Sequence, residues 1–92
     1  MEDNVIFIGD KPFMNYVTSV VVQFSAKQEK EVLIKARGKH ISRAVDVSQI
    51  AMNKFLKDEI AVSDVSISSE EFENKEGKTV RVSTIEIKLI KK

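Results

Sequence analysis

The alternation of apolar and polar residues near the C-terminus constrains the fold of this chain more than any other feature. Ile60 to Ser68 reads Ile-Ala-Val-Ser-Asp-Val-Ser-Ile-Ser, and Val80 to Ile90 reads Val-Arg-Val-Ser-Thr-Ile-Glu-Ile-Lys-Leu-Ile. A period near two sends successive side chains to opposite faces of a strand. Asn74-Lys75-Glu76-Gly77-Lys78 lies between the two runs with the composition of a turn, so together they predict one long hairpin. In each strand the alternation changes phase, from Val62 to Val65 in one and from Val82 to Ile85 in the other. A bulge or a strong twist is therefore expected between the core end and the tip. The outer segment, Ser68 to Arg81, has the length to project roughly 20 Å beyond the body at about 3.3 Å per residue.

The preceding residues supply the rest of a sheet and its cover. Asn4 to Ile8 is a short, nearly continuous apolar run ended by Gly9, which suits a buried strand. Beyond Pro12, the only proline, Phe13, Val17, Val20, Val21 and Phe24 recur at helical spacing, while Asn15, Thr18, Ser19 and Gln23 fall on the other side. Gln28 to Glu31 is a polar break, and Val32 to Ala36 is a second strand stopped by Gly38. From about His40 to Leu56 the stripe Ile41, Ala44, Val45, Met52, Phe55 and Leu56 predicts a second helix. Val47, Ile50 and Ala51 widen that stripe beyond what one sheet face covers, so this helix is expected to touch another subunit as well. The order β-α-β-α-β-β reads as an α+β two-layer sandwich. Its expected form is a four-stranded mixed sheet with two helices on one face and a long hairpin arm, in a single domain over residues 1–92.

Composition narrows the function. Ninety-two residues suffice for one modest core. With no cysteine, nothing staples the fold, and the start, Met1-Glu2-Asp3-Asn4, lacks the basic and apolar regions of a signal peptide, so an intracellular protein is expected. No apolar run approaches the ~20 residues of a membrane helix. Fifteen Lys and Arg against fourteen Asp and Glu leave a net charge of +1, but the charges are segregated. Lys35, Arg37, Lys39 and Arg43 lie between Lys35 and Ala44 with no acid among them, whereas Asp64 to Lys78 holds five acids against two lysines.

Enzyme chemistry finds little to work with. The chain has one histidine, no cysteine and no Gly-rich phosphate loop or paired metal-ligand spacing, so no catalytic residue, metal, cofactor or small-molecule substrate is expected. His40 beside the basic loop reads either as a phosphate donor or as a plain exposed histidine. Arg37-Gly38-Lys39 lies between a strand and a helix, where flexible backbone and two cations approach a phosphate closely and the helix adds free N–H groups. Lys11-Pro12 repeats the arrangement at the first helix. Parallel strands would bring both loops to one edge. By spacing alone each loop is equally well a solvated connection.

These residues also carry a recognisable pattern. Ile8-Gly9-Asp10-Lys11-Pro12-Phe13-Met14-Asn15-Tyr16-Val17 resembles the first signature block of the Alba family. Ile34 to Asp46, with Lys35-Ala36-Arg37-Gly38-Lys39-His40-Ile41-Ser42-Arg43-Ala44, resembles its second. The likeness continues through Asn53-Lys54-Phe55-Leu56 and Arg81 to Ile87, covering almost the whole chain in order apart from the hairpin tip and the first residues. The resemblance implies an archaeal chromatin protein of the cytoplasm, associated with the chromosome. Such a protein forms homodimers, coats, bridges or compacts double-stranded DNA with little sequence specificity, and also binds RNA. It implies nucleic-acid contacts at Lys11, Asn15, Arg37, Gly38, Lys39 and Arg43, and at Lys75, Lys78 and Arg81 on the arm. It further implies a dimer-to-dimer contact at Phe55 and acetylation at Lys11.

The chain departs from the family pattern twice. Asp10 stands where the first residue of a lysine pair is usual, leaving Lys11 as the candidate for modification. The hairpin carries Glu70, Glu71, Glu73 and Glu76, which repel phosphate if they face it, so weaker and shallower salt-dependent binding than that of a strongly basic relative is expected. An RNA-binding module acting on structured RNA is the alternative reading, and a protein-interaction scaffold is a third.

Overall fold

The computed structural model describes residues 4–92. Its elements are β1 (Val5–Phe7), α1 (Phe13–Ser25), β2 (Glu31–Arg37), α2 (Ile41–Ile50), β3 (Ile60–Glu73) and β4 (Thr79–Lys91). The strands form one sheet in the order β1-β2-β4-β3. β1 and β2 run parallel, and the other two pairings are antiparallel. The sheet is thus mixed, and the α+β architecture expected from the periodicities is the one observed.

Both helices lie on one face, α1 over β1 and β2, and α2 over β2 and β4. The residues beneath them alternate along their strands as a half-covered sheet requires: Val32, Ile34 and Ala36 on β2, and Ile85, Ile87 and Leu89 on β4, are all buried. Val17, Val20 and Phe24 of α1 close over them. Each fully buried Val, Ile or Leu contributes about 1.5–3 kcal/mol by leaving water. Among the described residues no helix is long and apolar enough to cross a membrane.

The hairpin has the expected five-residue connection, Asn74 to Lys78, in which Asn74 Oδ1 accepts from the N–H groups of Glu76 and Lys78 at 2.9 and 3.0 Å. The arm gives the molecule a long axis of 46 Å against 25 Å in the other directions. The phase change in β3 is a bulge: Val62 faces Leu89 and Asp64 faces Lys88, with Ser63 left over. One inserted residue keeps Val62, Val65 and Ile67 on the helix side of the sheet. The phase change in β4 has a different cause. That strand stays in register with β3 from Lys88 to Thr79, so Val80 and Val82 sit on the face opposite Ile85 and Ile87. The helices end before the arm, and the apolar residues change face without any irregularity.

The second helical segment begins with a 3-10 turn, Gly38–His40, and ends in a π turn, Ala51–Phe55. Its buried residues are Ala44, Val47, Ser48 and Ala51, an arc rotated from the expected stripe, and Val45 is 39% exposed. Continued α geometry would bring Phe55 beneath the helix four residues after Ala51. Instead the Leu56 N–H donates to Ala51 O at 2.8 Å, and that five-residue step turns Leu56 inward and leaves Phe55 49% exposed. Gln23, expected on the polar side of α1, is buried where the following turn folds back and Glu29 N–H donates to Gln23 O at 2.9 Å.

Candidate nucleic-acid interface

Because β1 and β2 are parallel neighbours, the loops that follow them emerge at the same edge of the sheet. The first loop is pinned from below. The Tyr16 hydroxyl accepts the N–H groups of Gly9 at 2.9 Å and Lys11 at 3.0 Å, and the tyrosine itself is buried. Arg43 ties the second helix to this loop: its Nη1 donates to Gly9 O at 2.6 Å, and its guanidinium lies 5.7 Å from the Tyr16 ring centroid. Arg43, expected to contact nucleic acid, thus serves the free protein as a strut between the two loops.

The second loop needs its glycine twice over. Gly38 has φ +53°, and a Cβ there would lie 3.1 Å from Val82 Cγ2. That left-handed step launches the 3-10 turn carrying Lys39 and His40. Neither Pro12 at the start of α1 nor His40 at the start of α2 caps its helix with a side chain, and neither first turn holds an acid. Two helix N-termini without side-chain caps, each with partial positive charge, therefore face the same edge.

The expected contact residues divide into free and engaged sets. Lys11 and Lys39 are exposed and form no ion pair among the described residues. Asn15 is exposed on the first turn of α1, and Lys75 and Lys78 are exposed in the hairpin turn. Arg37 is engaged: its Nη2 lies 2.9 Å from Glu70 Oε1, and its guanidinium lies 5.8 Å from the Phe72 ring centroid. Arg81 is engaged by Glu71 across the arm. His40 Nε2 lies 3.6 Å from Asp10 Oδ1, bringing the departure at Asp10 into contact with the second loop. Neither the Arg43 strut to Gly9 nor the Arg37–Glu70 pair is foreshadowed by spacing, because each joins residues distant along the chain.

Comparison with known proteins places the chain in a family. The Alba family model matches residues 4–69. The chain is 50% identical over 92 residues to the DNA/RNA-binding protein Alba 1 of Archaeoglobus fulgidus, covering 100% of both chains. It is 42% identical over 89 residues to the DNA/RNA-binding protein Alba of Methanococcus maripaludis, covering 97% of this chain and 99% of that one. Among solved structures, Alba from Thermoplasma volcanium superposes with a TM-score of 0.86 at 44% identity, covering 95% of this chain and 99% of the other. Signature residues, fold and relatives converge, and the chain belongs to the Alba family.

Proposed function

We propose that this protein binds double-stranded nucleic acid as a homodimer, without strict sequence preference, as an architectural component of the chromosome in the cytoplasm rather than as an enzyme. The observation that carries the reading is the edge where two strand-to-helix loops lie side by side, each with an exposed lysine that has no ion pair among the described residues and a helix N-terminus without a side-chain cap. Such groups bind phosphate oxygens, which are the same whatever the base sequence. Relatives bearing the words DNA/RNA-binding in their names support the same class of ligand.

Dimerisation is supported by the apolar surface that one chain leaves uncovered. On the helix side of β3, Val65 is 51% and Ile67 78% exposed, and Val62, Val45 and Phe55 are exposed on the same side of the molecule or at the end of its second helix. A patch of this kind marks a contact with another chain. Pairing doubles the cations at the loops, which offsets the nearly neutral single chain. Phe55, turned outward by the π turn, is then available to join dimers along a duplex, and exposed Lys11 is available for acetylation. The arm's Lys75, Lys78 and Arg81 flank the duplex, with Glu71 competing for Arg81.

Titration of unrelated DNA and RNA duplexes over a salt series tests the proposal. Affinities within about tenfold of one another across sequences, falling steeply with salt, are expected of phosphate contacts. A single preferred sequence, or affinity indifferent to salt, contradicts it.

A further inference from the structure

Among the described residues nothing covers the sheet face opposite the helices, and its residues are not those of a merely solvated surface. By register, Phe7, Lys35, Glu86 and Ser66 stand side by side across the four strands. Arg37, Thr84 and Ser68 form the next row, and Phe72 lies two rows further along the arm beside Val80. Phe7 is 70% exposed, the most exposed aromatic ring among the described residues, and Phe72 is 45% exposed. Each ring is accompanied by a cation. Lys35 Nζ lies 5.9 Å from the Phe7 centroid and the Arg37 guanidinium 5.8 Å from that of Phe72. Beside Phe7 lies a concavity of about 410 Å³, lined also by Lys35, Arg37, Ser66, Ser68 and Thr84.

We propose that this open sheet face is a second nucleic-acid site, separate from the paired loops, that takes single-stranded RNA by stacking unpaired bases on Phe7 and Phe72. The chemistry fits that ligand better than a duplex. A ring standing on a sheet stacks only on a base free of its neighbours, and a double helix offers none along its length. Cations beside each ring match a phosphate spaced from each base. The row of hydroxyls suits the 2′-hydroxyl, which both donates and accepts. In the free protein Glu86 lies 3.2 Å from Lys35, and Glu70 lies 2.9 Å from Arg37. A phosphate entering the site therefore replaces a carboxylate rather than adding an uncompensated charge, so stacking dominates and the binding depends on salt less steeply than binding at the loops. Arg37 stands at the rim between the two faces, whereas Phe7 belongs to this one alone.

The test is fluorescence anisotropy with a labelled oligouridine of about twelve nucleotides, within the usual span of single-strand sites, in parallel with a labelled duplex. Wild type, Phe7→Leu, Phe72→Leu and Lys11→Ala are compared, with circular dichroism to confirm folding. Loss of either ring is expected to weaken oligouridine binding roughly tenfold or more, at the scale of one stacked base, and loss of Phe7 is expected to leave duplex binding unchanged. Lys11→Ala is expected to do the reverse. Oligouridine is expected to bind more tightly than oligodeoxyuridine of the same length. The proposal is overturned if wild type ignores oligouridine, if Phe7→Leu binds it as wild type does, or if that variant weakens both ligands equally. Equal affinity for the deoxy strand overturns the assignment to RNA. Duplex binding is read separately, so failure at this face and failure at the loops are distinguishable.

Discussion

Arg37 Nη2 and Glu70 Oε1 lie 2.9 Å apart, joining the last residue of β2 to the acidic side of the arm. Both side chains are more than half exposed, so the pair contributes little to stability, about 0–1 kcal/mol. Its effect is on ligand binding: an anion of the protein already occupies the place a phosphate would take. Glu70→Gln is expected to tighten duplex binding and to steepen the plot of log affinity against log salt by about one unit per released arginine. Salt titration by anisotropy reads both. An unchanged slope would show that Arg37 is not a phosphate ligand.

Tyr16 holds the first loop through one oxygen that accepts two backbone N–H groups. Tyr16→Phe keeps the ring beneath Arg43 and removes the acceptor, so about 1–3 kcal/mol of stability is expected to be lost. Urea denaturation measures it. A midpoint indistinguishable from wild type would mean that water replaces the hydroxyl at no cost.

Gly38 and Gly77 both have positive φ, but only Gly38 faces a close neighbour. Alanine at either position is expected to cost about 1–2 kcal/mol for the left-handed backbone. Gly38→Ala is expected to cost more because its Cβ meets Val82 Cγ2 at 3.1 Å. A double-mutant cycle with Val82→Ala isolates that contact, since coupling appears only between touching residues. Equal losses at the two glycines would contradict the close approach.

Ile67 is 78% exposed on the helix side of β3, where a second copy would bury it. Ile67→Glu is expected to leave the single chain folded and to weaken self-association at least tenfold, since each copy loses the burial of one aliphatic side chain. Sedimentation over a concentration range tests this. A variant that associates as wild type does would place the dimer contact elsewhere.

Most of the fold was legible because periodicity reports burial directly. The strands and helices fall where apolar spacing of two or near 3.6 puts them, and the bulge at Ser63 is visible as the phase change between Val62 and Val65. The same signal misleads at Val82 and Ile85, because a strand that outruns its helices exchanges apolar faces without a bulge. The π turn was hidden for a related reason: Phe55 and Leu56 are adjacent and both apolar, and only the Leu56-to-Ala51 hydrogen bond decides which is buried. At the loops, cation positions were readable but cation availability was not. Among the described residues Lys11 and Lys39 form no ion pair, whereas Arg43 binds Gly9 O and Arg37 binds Glu70 through contacts that span 34 and 33 positions of chain.

The paired loops are expected to act as the phosphate-binding surface of the protein. The most direct measurement is the slope of log affinity against log salt on a DNA duplex for wild type and for Lys11→Ala combined with Lys39→Ala. A dimer loses four lysines, so the slope is expected to become shallower by roughly three to four units, with affinity reduced alike on unrelated sequences. An unchanged slope and affinity in the doubly substituted protein would mean that the loops do not bind phosphate.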